Sequence, residues 1–137
     1  MEGPVPTPPP GWPRRQRLAL LPAAALAAVL GAAACGDRPP AAIAGADPES
    51  GKAAIERYGC IACHAIPGIA GHGGNVGPPL QGIGRRAYVG GVLANTPEQM
   101  VRWLRNPPAV DPGTAMPALG LSEAEAKNIA AYLYTLR

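Results

Sequence analysis

Large apolar side chains are scarce in this chain of 137 residues, which contains no Phe and in which aromatic residues make up 4%. Gly and Pro number 18 each, and neither fills a hydrophobic core well. A chain of this length supports one domain rather than two. Because its own side chains would fill the core of that domain poorly, we expect an additional apolar group to be held inside the fold.

Charged residues are also few, at 15% of the chain, and the net charge is +3. Three of the 12 basic residues and one of the nine acidic residues lie within residues 1–34. The rest of the chain therefore contains nine basic and eight acidic residues. The sequence has neither a basic stripe nor an aromatic platform on which bases could stack. We therefore expect no nucleic acid among the partners.

Cysteine and histidine are rare as well, with three Cys and two His in the whole chain. Two of the cysteines and one histidine nevertheless fall within five residues, Cys-Ile-Ala-Cys-His at positions 60–64. Two thiols at this spacing can each add across a vinyl group of one haem, and the histidine that follows can ligate the iron. The stretch predicts one covalent haem c, attached through Cys60 and Cys63, with His64 as an axial ligand.

Two other interpretations of the cysteine pair stay open at this stage. A dithiol redox site normally lies in a strand and helix pattern like that of thioredoxin, and no such pattern surrounds residues 60–63. A zinc site needs four ligands, and Cys35 and His72 are the only further Cys or His residues in the chain. Both interpretations have less support than the haem.

The N-terminal part of the chain reads as an export signal and a tether. Residues 1–34 combine a basic segment with a hydrophobic run at 18–34, which is the pattern of a signal peptide. Ala-Ala-Ala-Cys at 32–35 is similar to a bacterial lipobox, so Cys35 is predicted to be the lipidated first residue of the mature protein. A retained N-terminal helix and a cleaved, unlipidated protein are the alternatives. Residues 35–46 predict a flexible tether, which would hold the domain at the periplasmic side of a bacterial membrane.

Three N-caps mark the starts of helices within residues 47–137, the predicted folded domain. A side-chain oxygen at each cap can accept from the first free backbone amides of its helix. Gln99 and Glu125 are placed to complete capping boxes at the second and third starts. The predicted helices run from Asp47 to near Gly59, from Thr96 to before Pro107, and from Ser122 to Leu136.

Residues 65–95, between the first two predicted helices, are rich in Gly and Pro and contain no strand of useful length. We expect them to form loops wrapped around the cofactor. The predicted fold is all-α, with three or four helices and no sheet.

The second axial position of the iron needs a ligand from a distant loop that can fold over the other haem face. Met116 is the best candidate, because it lies in a non-helical stretch, Pro-Gly-Thr-Ala-Met-Pro at 112–117. A thioether favours ferrous iron, so a pair of His64 and Met116 would raise the potential and close both axial positions to other ligands. Met100 competes for this role but lies on a predicted helix face and is expected in the core, whereas His72 follows His64 too closely to reach that face.

Four motifs together resemble the class I monohaem cytochromes c over residues 47–137. The resemblance implies that this family's fold surrounds one haem, with the Pro78 carbonyl on the His64 ring and Leu80 packed on the haem. It also implies an arginine near a haem propionate, for which Arg85 and Arg86 both fit the spacing, with Arg85 as the chosen candidate. The indole N–H of Trp103 would reach a propionate. The motifs are residues 60–64, Gly77-Pro78-x-Leu80-x-Gly82, Thr114-x-Met116-Pro117 and residues 129–133.

The stretches 95–107 and 111–117 are most similar to the haem domain joined to the second subunit of some haem-copper oxidases. This similarity leaves open whether the partner is such an oxidase or another enzyme. We expect a monomeric electron carrier, not an enzyme, that passes one electron between redox proteins of a respiratory chain. Partner contacts would be small and short-lived, centred near Ile61, Ala62 and the loop at 77–78. Two other functions stay open. One is a haem subunit fixed in an oxidase or dehydrogenase complex, and the other is a haem sensor or enzyme with an open axial site.

Overall fold

The computed structural model describes residues 43–71 and 73–137. The signal peptide, the lipidated Cys35 and most of the tether predicted above lie outside the described residues, as does His72. At the start of the described part, Ile43 packs against the hydrophobic core. The Ala46 N–H donates to the Ile43 carbonyl at 3.1 Å. No helix within the described residues has the length and apolar character that crossing a membrane requires.

The described part of the chain is mostly helical, as predicted, with four α-helices. Three of them begin at the predicted caps. The additional helix is a single turn that begins at Pro107, directly after the second helix, with the Asn106 side chain accepting from the Ala109 N–H at 3.3 Å. The helices are α1 at Pro48–Arg57, α2 at Pro97–Arg105, α3 at Pro107–Val110 and α4 at Glu123–Thr135.

The prediction that the fold contains no sheet is wrong at one place within residues 65–95. Tyr88–Val89 (β1) and Leu93–Ala94 (β2) pair as a short antiparallel hairpin. Gly90, at the turn, has a φ of +60°, and a Cβ added there would come within 2.6 Å of the Trp103 ring. The hairpin is therefore packed closely on α2. Strands of two residues are too short for an alternating pattern to indicate them.

The caps at the first and last helices form as predicted. The Asp47 carboxylate accepts from the backbone N–H groups of Glu49 and Ser50, at 3.2 and 3.0 Å. The Ser122 hydroxyl accepts from the Glu125 N–H at 3.2 Å, and the Glu125 carboxylate accepts from the Ser122 N–H at 3.0 Å. This second arrangement is a complete capping box.

The capping box predicted at the start of α2 is only half formed. The Thr96 hydroxyl accepts from the Gln99 N–H at 3.3 Å, as a cap should. The Thr96 N–H, however, donates to the Ala94 carbonyl at 2.8 Å. Since the hairpin already satisfies this amide, the Gln99 side chain is not needed there and accepts from Arg102 instead, at 3.4 Å.

The first and last helices cross where α1 has a glycine. A Cβ added at Gly51 would stand 2.0 Å from the Asn128 carbonyl oxygen, so only glycine permits this approach. The Asn128 side chain accepts from the Asp47 N–H at 2.9 Å, which ties the start of α1 to α4. Ile55 and Ile129 are each 1% exposed at this crossing.

Glu125 links the end of α1 to the start of α4. One carboxylate oxygen accepts from the Arg57 guanidinium at 2.8 Å and from the Tyr58 hydroxyl at 2.9 Å. The other accepts from the Ser122 hydroxyl at 2.7 Å. The hydrogen bonds from Ser122, followed by those from Tyr58 and Arg57, lower the pKa of Glu125 from 4.5 to about 2.

We expect the Glu125 carboxylate to make fold stability depend on pH. Because its pKa is lower in the folded protein, its contribution is fully present above pH 4.5 and is lost as the pH falls toward about 2. Glu125→Gln should therefore reduce the free energy of unfolding at pH 7, and its difference from the unmodified protein should shrink between these values. Urea unfolding at a series of pH values measures this. Glu56→Gln, an exposed change on α1 outside the network, is the control. An equal pH response in both variants would contradict the prediction.

Candidate functional site

The two cysteines of the haem-attachment stretch lie on a tight turn directly after α1. Gly59 has a φ of +68°, which ends the helix and turns the chain into a 3-10 turn over Cys60–Ala62. The His64 N–H donates to the Cys60 carbonyl at 3.0 Å, and the Cys63 N–H donates to the same oxygen at 3.3 Å. These bonds bring both thiols and the imidazole to the border of one cavity.

This cavity has a volume of about 540 Å³ and is lined mainly by apolar side chains. Its volume falls within the range of about 300–1,000 Å³ that small-molecule and cofactor sites occupy. Since protein interiors are close-packed with few voids larger than a water molecule, such a space fits a large apolar group such as a haem. Of the residues predicted to bind the cofactor, those that border the cavity are Cys60, Cys63, His64, Pro78, Leu80, Trp103 and Met116.

The His64 ring is held by the contact that a ligating histidine needs. Its Nδ1 lies 2.7 Å from the Pro78 carbonyl oxygen. When Nδ1–H donates to this carbonyl, the lone pair lies on Nε2 and is available to a metal, and the hydrogen bond fixes the ring plane and raises its basicity. The residues therefore fit an axial ligand at His64.

Gly77 provides the space for the His64 ring, a role that the sequence did not indicate. A Cβ added there would lie 2.3 Å from Cε1 and 2.6 Å from Nδ1 of His64. The Gly77 N–H donates to the Cys63 carbonyl at 2.9 Å, which holds the loop against the attachment turn. A glycine before two prolines signals a constrained turn, but not which side chain packs on it.

Met116 reaches the cavity from a loop that is shaped by local hydrogen bonds. The Asp111 carboxylate accepts from the Gly113 N–H at 3.0 Å, and the Met116 N–H donates to the Thr114 hydroxyl at 3.2 Å. Met116 is half-buried. Met100 is 1% exposed within α2, in the core as predicted, but it also borders the cavity. Both methionines of the described residues are therefore at this site.

Of the two candidate arginines, Arg86 borders the cavity, and Arg85 is not among the residues that line it. The Arg86 guanidinium donates from Nη2 to the Pro79 carbonyl and, at 3.0 Å, to the Gln81 carbonyl. The sequence spacing admitted either arginine. The structure favours Arg86 for any contact with a group in the cavity.

Comparison with known proteins agrees with this site. Residues 46–133, more than half of the chain, match the family described as "Cytochrome C oxidase, cbb3-type, subunit III". The chain belongs to this cytochrome c family. The resemblance to monohaem cytochromes c is thereby confirmed, and the cofactor of the domain is a covalent haem c, with Cys60 and Cys63 as its attachment cysteines.

Two curated relatives are oxidase subunits. The cytochrome c domain is 34% identical over 88 residues to cytochrome c oxidase subunit 2 of Alkalihalophilus pseudofirmus, an alignment that covers 64% of this chain and 25% of that protein. It is 31% identical over 88 residues to cytochrome c oxidase subunit 2 of a Bacillus species, strain PS3, covering 61% of this chain and 25% of that protein. The chain thus spans about a quarter of the length of these relatives.

The described residues bear on the two alternative interpretations of the cysteine pair. Burial raises the pKa of the Cys60 thiol, whereas reactive dithiol sites depend on a lowered thiol pKa. Within residues 43–71 and 73–137, no group of three or more Cys, His, Asp or Glu side chains is placed to hold a metal ion. Neither a dithiol site nor a zinc site gains support from the described residues.

Two exposed apolar residues lie at the cavity border although no sequence pattern indicated them. Val76 is 71% exposed and Tyr88 is 62% exposed, and both line the cavity. Tyr88 lies in the hairpin that the sequence did not indicate, and Val76 follows a run of glycines without any periodic pattern. No sequence signal would have selected either one.

We expect Gly77→Ala to displace the His64 ring of the cytochrome c domain. The added methyl group would stand far inside van der Waals contact of the ring, so either the imidazole or the Pro78 loop must move. The fraction of purified protein with a six-coordinate low-spin spectrum should fall several-fold. Gly113→Ala is the matched control, because an added Cβ there meets nothing closer than 3.4 Å. Equal spectra for both variants would argue against close packing of Gly77 on the His64 ring.

Proposed function

We propose that this cytochrome c domain is a one-electron carrier of a respiratory chain, with His64 and Met116 as the axial ligands of its haem iron. A bound haem c supplies the redox chemistry, cycling between Fe(III) and Fe(II). The observation that supports this proposal most strongly is the convergence of Cys60, Cys63, His64 and Met116 on one apolar cavity.

The residues around the cavity have distinct proposed roles in electron transfer. The Pro78 carbonyl holds Nδ1 of His64, which would leave Nε2 available to the iron of a bound haem. Leu80 and Trp103 provide apolar walls that exclude water, and Trp103 is only 7% exposed. With both axial positions closed, the site would favour outer-sphere electron transfer over binding of oxygen or peroxide. Arg86, at the cavity border, is the proposed partner of a propionate.

Electrons would enter and leave where the cavity border meets the solvent. Ala62 and Pro78 are exposed beside the attachment turn, and Val76 adds a large apolar side chain to this edge. A small, short-lived interface of the kind typical of redox partners would cover this patch. The relatives that are named as oxidase subunits make an oxidase of this type a suitable electron acceptor.

The proposed location is the periplasmic side of a bacterial membrane, with a lipid on Cys35 as the anchor. The lipobox-like stretch at 32–35 and the hydrophobic run before it support this part of the proposal. The intact mass of the mature protein tests it, because it reports the attached haem and the lipid together. A mass without the lipid would contradict the lipid anchor and would leave two alternatives, a retained N-terminal helix and an unanchored protein.

Spectroscopy and kinetics of the matured protein test the electron-transfer proposal. We expect a six-coordinate low-spin spectrum in both oxidation states, no binding of carbon monoxide, and rapid oxidation of the ferrous protein by membranes that contain a haem-copper oxidase. A five-coordinate ferrous spectrum with carbon monoxide binding would instead support a sensor or an enzyme with an open axial site.

A second candidate function is that of a haem subunit fixed within an oxidase complex. The family description and both relatives favour it, because each is an oxidase subunit. Detergent extraction separates this candidate from a free shuttle. A fixed subunit would copurify with the complex in stoichiometric amount at increasing salt, whereas a shuttle would be recovered alone.

A further inference from the structure

Asn95 is the centre of a polar network that none of the proposed roles above uses. Its side-chain Nδ2 donates to the Ile83 carbonyl at 2.8 Å and to the Arg86 carbonyl at 2.9 Å. Its Oδ1 accepts from the Tyr134 hydroxyl at 2.9 Å. Both amide donors are thus engaged, and the acceptor is too. This single side chain connects α4 to the turn that precedes and includes Arg86.

Arg86 extends this network to the loop beneath His64. Its guanidinium donates to the carbonyls of Pro79 and Gln81. Pro78 and Pro79 have no N–H of their own, so at these positions the loop cannot form backbone hydrogen bonds as a donor. The Pro78 carbonyl accepts from Nδ1 of His64 at 2.7 Å. Pro78 directly precedes Pro79, whose carbonyl accepts from Arg86. The loop that carries the Pro78 carbonyl is held by backbone hydrogen bonds from the Gly77 and Leu80 N–H groups, at 2.9 and 2.8 Å, and in addition by the Arg86 side chain.

We propose that Asn95 and Arg86 are positioning residues for His64. Together with Tyr134 they would fix the direction of the Pro78 carbonyl and so the strength of its hydrogen bond to the imidazole. A strong bond makes the imidazole a better donor to iron and stabilises Fe(III), whereas a loosened bond favours Fe(II). This inference rests on the proposed function, because it requires His64 to be an axial ligand.

Tyr134 is suited to anchor the network. It is 3% exposed, and burial, with a smaller contribution from the charge of Glu98, raises its pKa to about 12. Its hydroxyl therefore keeps its proton and remains a donor to Asn95 across the physiological pH range. Removal of this hydroxyl would leave a partly buried amide oxygen without its donor, and that oxygen would be stabilised by reorienting the Asn95 side chain.

Two variants of the full-length haem protein test the inference. Tyr134→Phe removes only the anchoring hydroxyl, and Arg86→Lys retains the positive charge while removing Nη2, the one nitrogen that donates to both carbonyls. In both, we expect the His64 Nδ1–H to exchange with solvent about five- to tenfold faster, as for the loss of one net hydrogen bond. The midpoint potential should rise. Loss of a positive charge near the haem would instead lower the midpoint potential. The sign of the change in potential therefore separates a positioning effect from a charge effect.

Tyr132→Phe is the matched control. It removes a hydroxyl from the same helix, one that donates to the Pro67 carbonyl at 2.8 Å and not to Asn95. We expect it to leave both the exchange rate and the potential unchanged. An equal response in Tyr132→Phe would show a general effect of loosening α4 and would overturn the inference.

The magnetic resonance signals of His64 in the unmodified ferric protein separate the two proposals. If these signals lack the hyperfine shift of an iron ligand, both the ligand assignment and the positioning role are wrong. If they have that shift but neither Tyr134→Phe nor Arg86→Lys changes the exchange rate or the potential, only the positioning role is wrong.

Discussion

A variant with both Cys60→Ala and Cys63→Ala is expected to be colourless and unfolded when it is purified free of haem. Without the haem, the cavity of about 540 Å³ would have to be left open or filled by collapse of the surrounding elements. Fully burying one large apolar side chain contributes about 1.5–3 kcal/mol, so exposing several of those that line the cavity would remove stability comparable to that of the whole domain. The whole free energy of unfolding of a domain is about 5–15 kcal/mol. The helices therefore have too little remaining stability to hold their arrangement.

Circular dichroism and urea unfolding measure this result. We expect low helix content and no cooperative transition in the double variant. Cys35→Ser is the control, because it retains both attachment thiols and should leave the haem content and the cooperative transition unchanged. A colourless double variant that still unfolds cooperatively would show that the haem is not the centre of the fold.

The second large effect is expected from Met116→Ala, which should lower the midpoint potential by a substantial fraction of the range of about 0.8 V that axial ligands span. The thioether favours Fe(II), so its removal shifts the balance toward Fe(III). The open axial position should then bind carbon monoxide in the ferrous state. Potentiometric titration and the carbon monoxide difference spectrum measure the two effects.

Met100→Leu provides the matched control for this ligand assignment. Met100 borders the same cavity but is buried in α2, and leucine conserves most of its volume. We expect the variant to keep its six-coordinate spectrum. An unchanged potential and spectrum in Met116→Ala would show that Met116 is not the ligand, and carbon monoxide binding in Met100→Leu would assign the ligand to Met100.

The helix starts were predictable because a cap depends on residues within one turn of each other. Asp47, Thr96 and Ser122 each accept from the expected backbone amides. The prediction of the caps was incomplete where an element distant from the helix start supplied a hydrogen bond. At Thr96 the hairpin satisfies the amide that Gln99 would have bonded, and no local pattern indicates that hairpin.

The site was predictable in its residue types and only partly in its geometry. The spacing in the attachment stretch and the Pro-Gly setting of Met116 indicated side chains that the structure places at the border of one cavity. The sequence did not predict which arginine borders the cavity. Side chains of neighbouring residues point in different directions, and the direction of each one is set by the folded backbone. The packing of Gly77 on the His64 ring was equally hidden, since the residues are brought together only by the turn between them.

The sequence by itself determined the chemistry of haem attachment and the starts of the three longer helices, since both depend on groups a few positions apart in the chain. Only the tertiary structure decided that Arg86 borders the cavity and that Asn95 joins Ile83 to Tyr134. Those hydrogen bonds connect residues separated by 12 and 39 positions. Such contacts exist only after the helices and loops have packed together, so their partners cannot be identified from local sequence patterns.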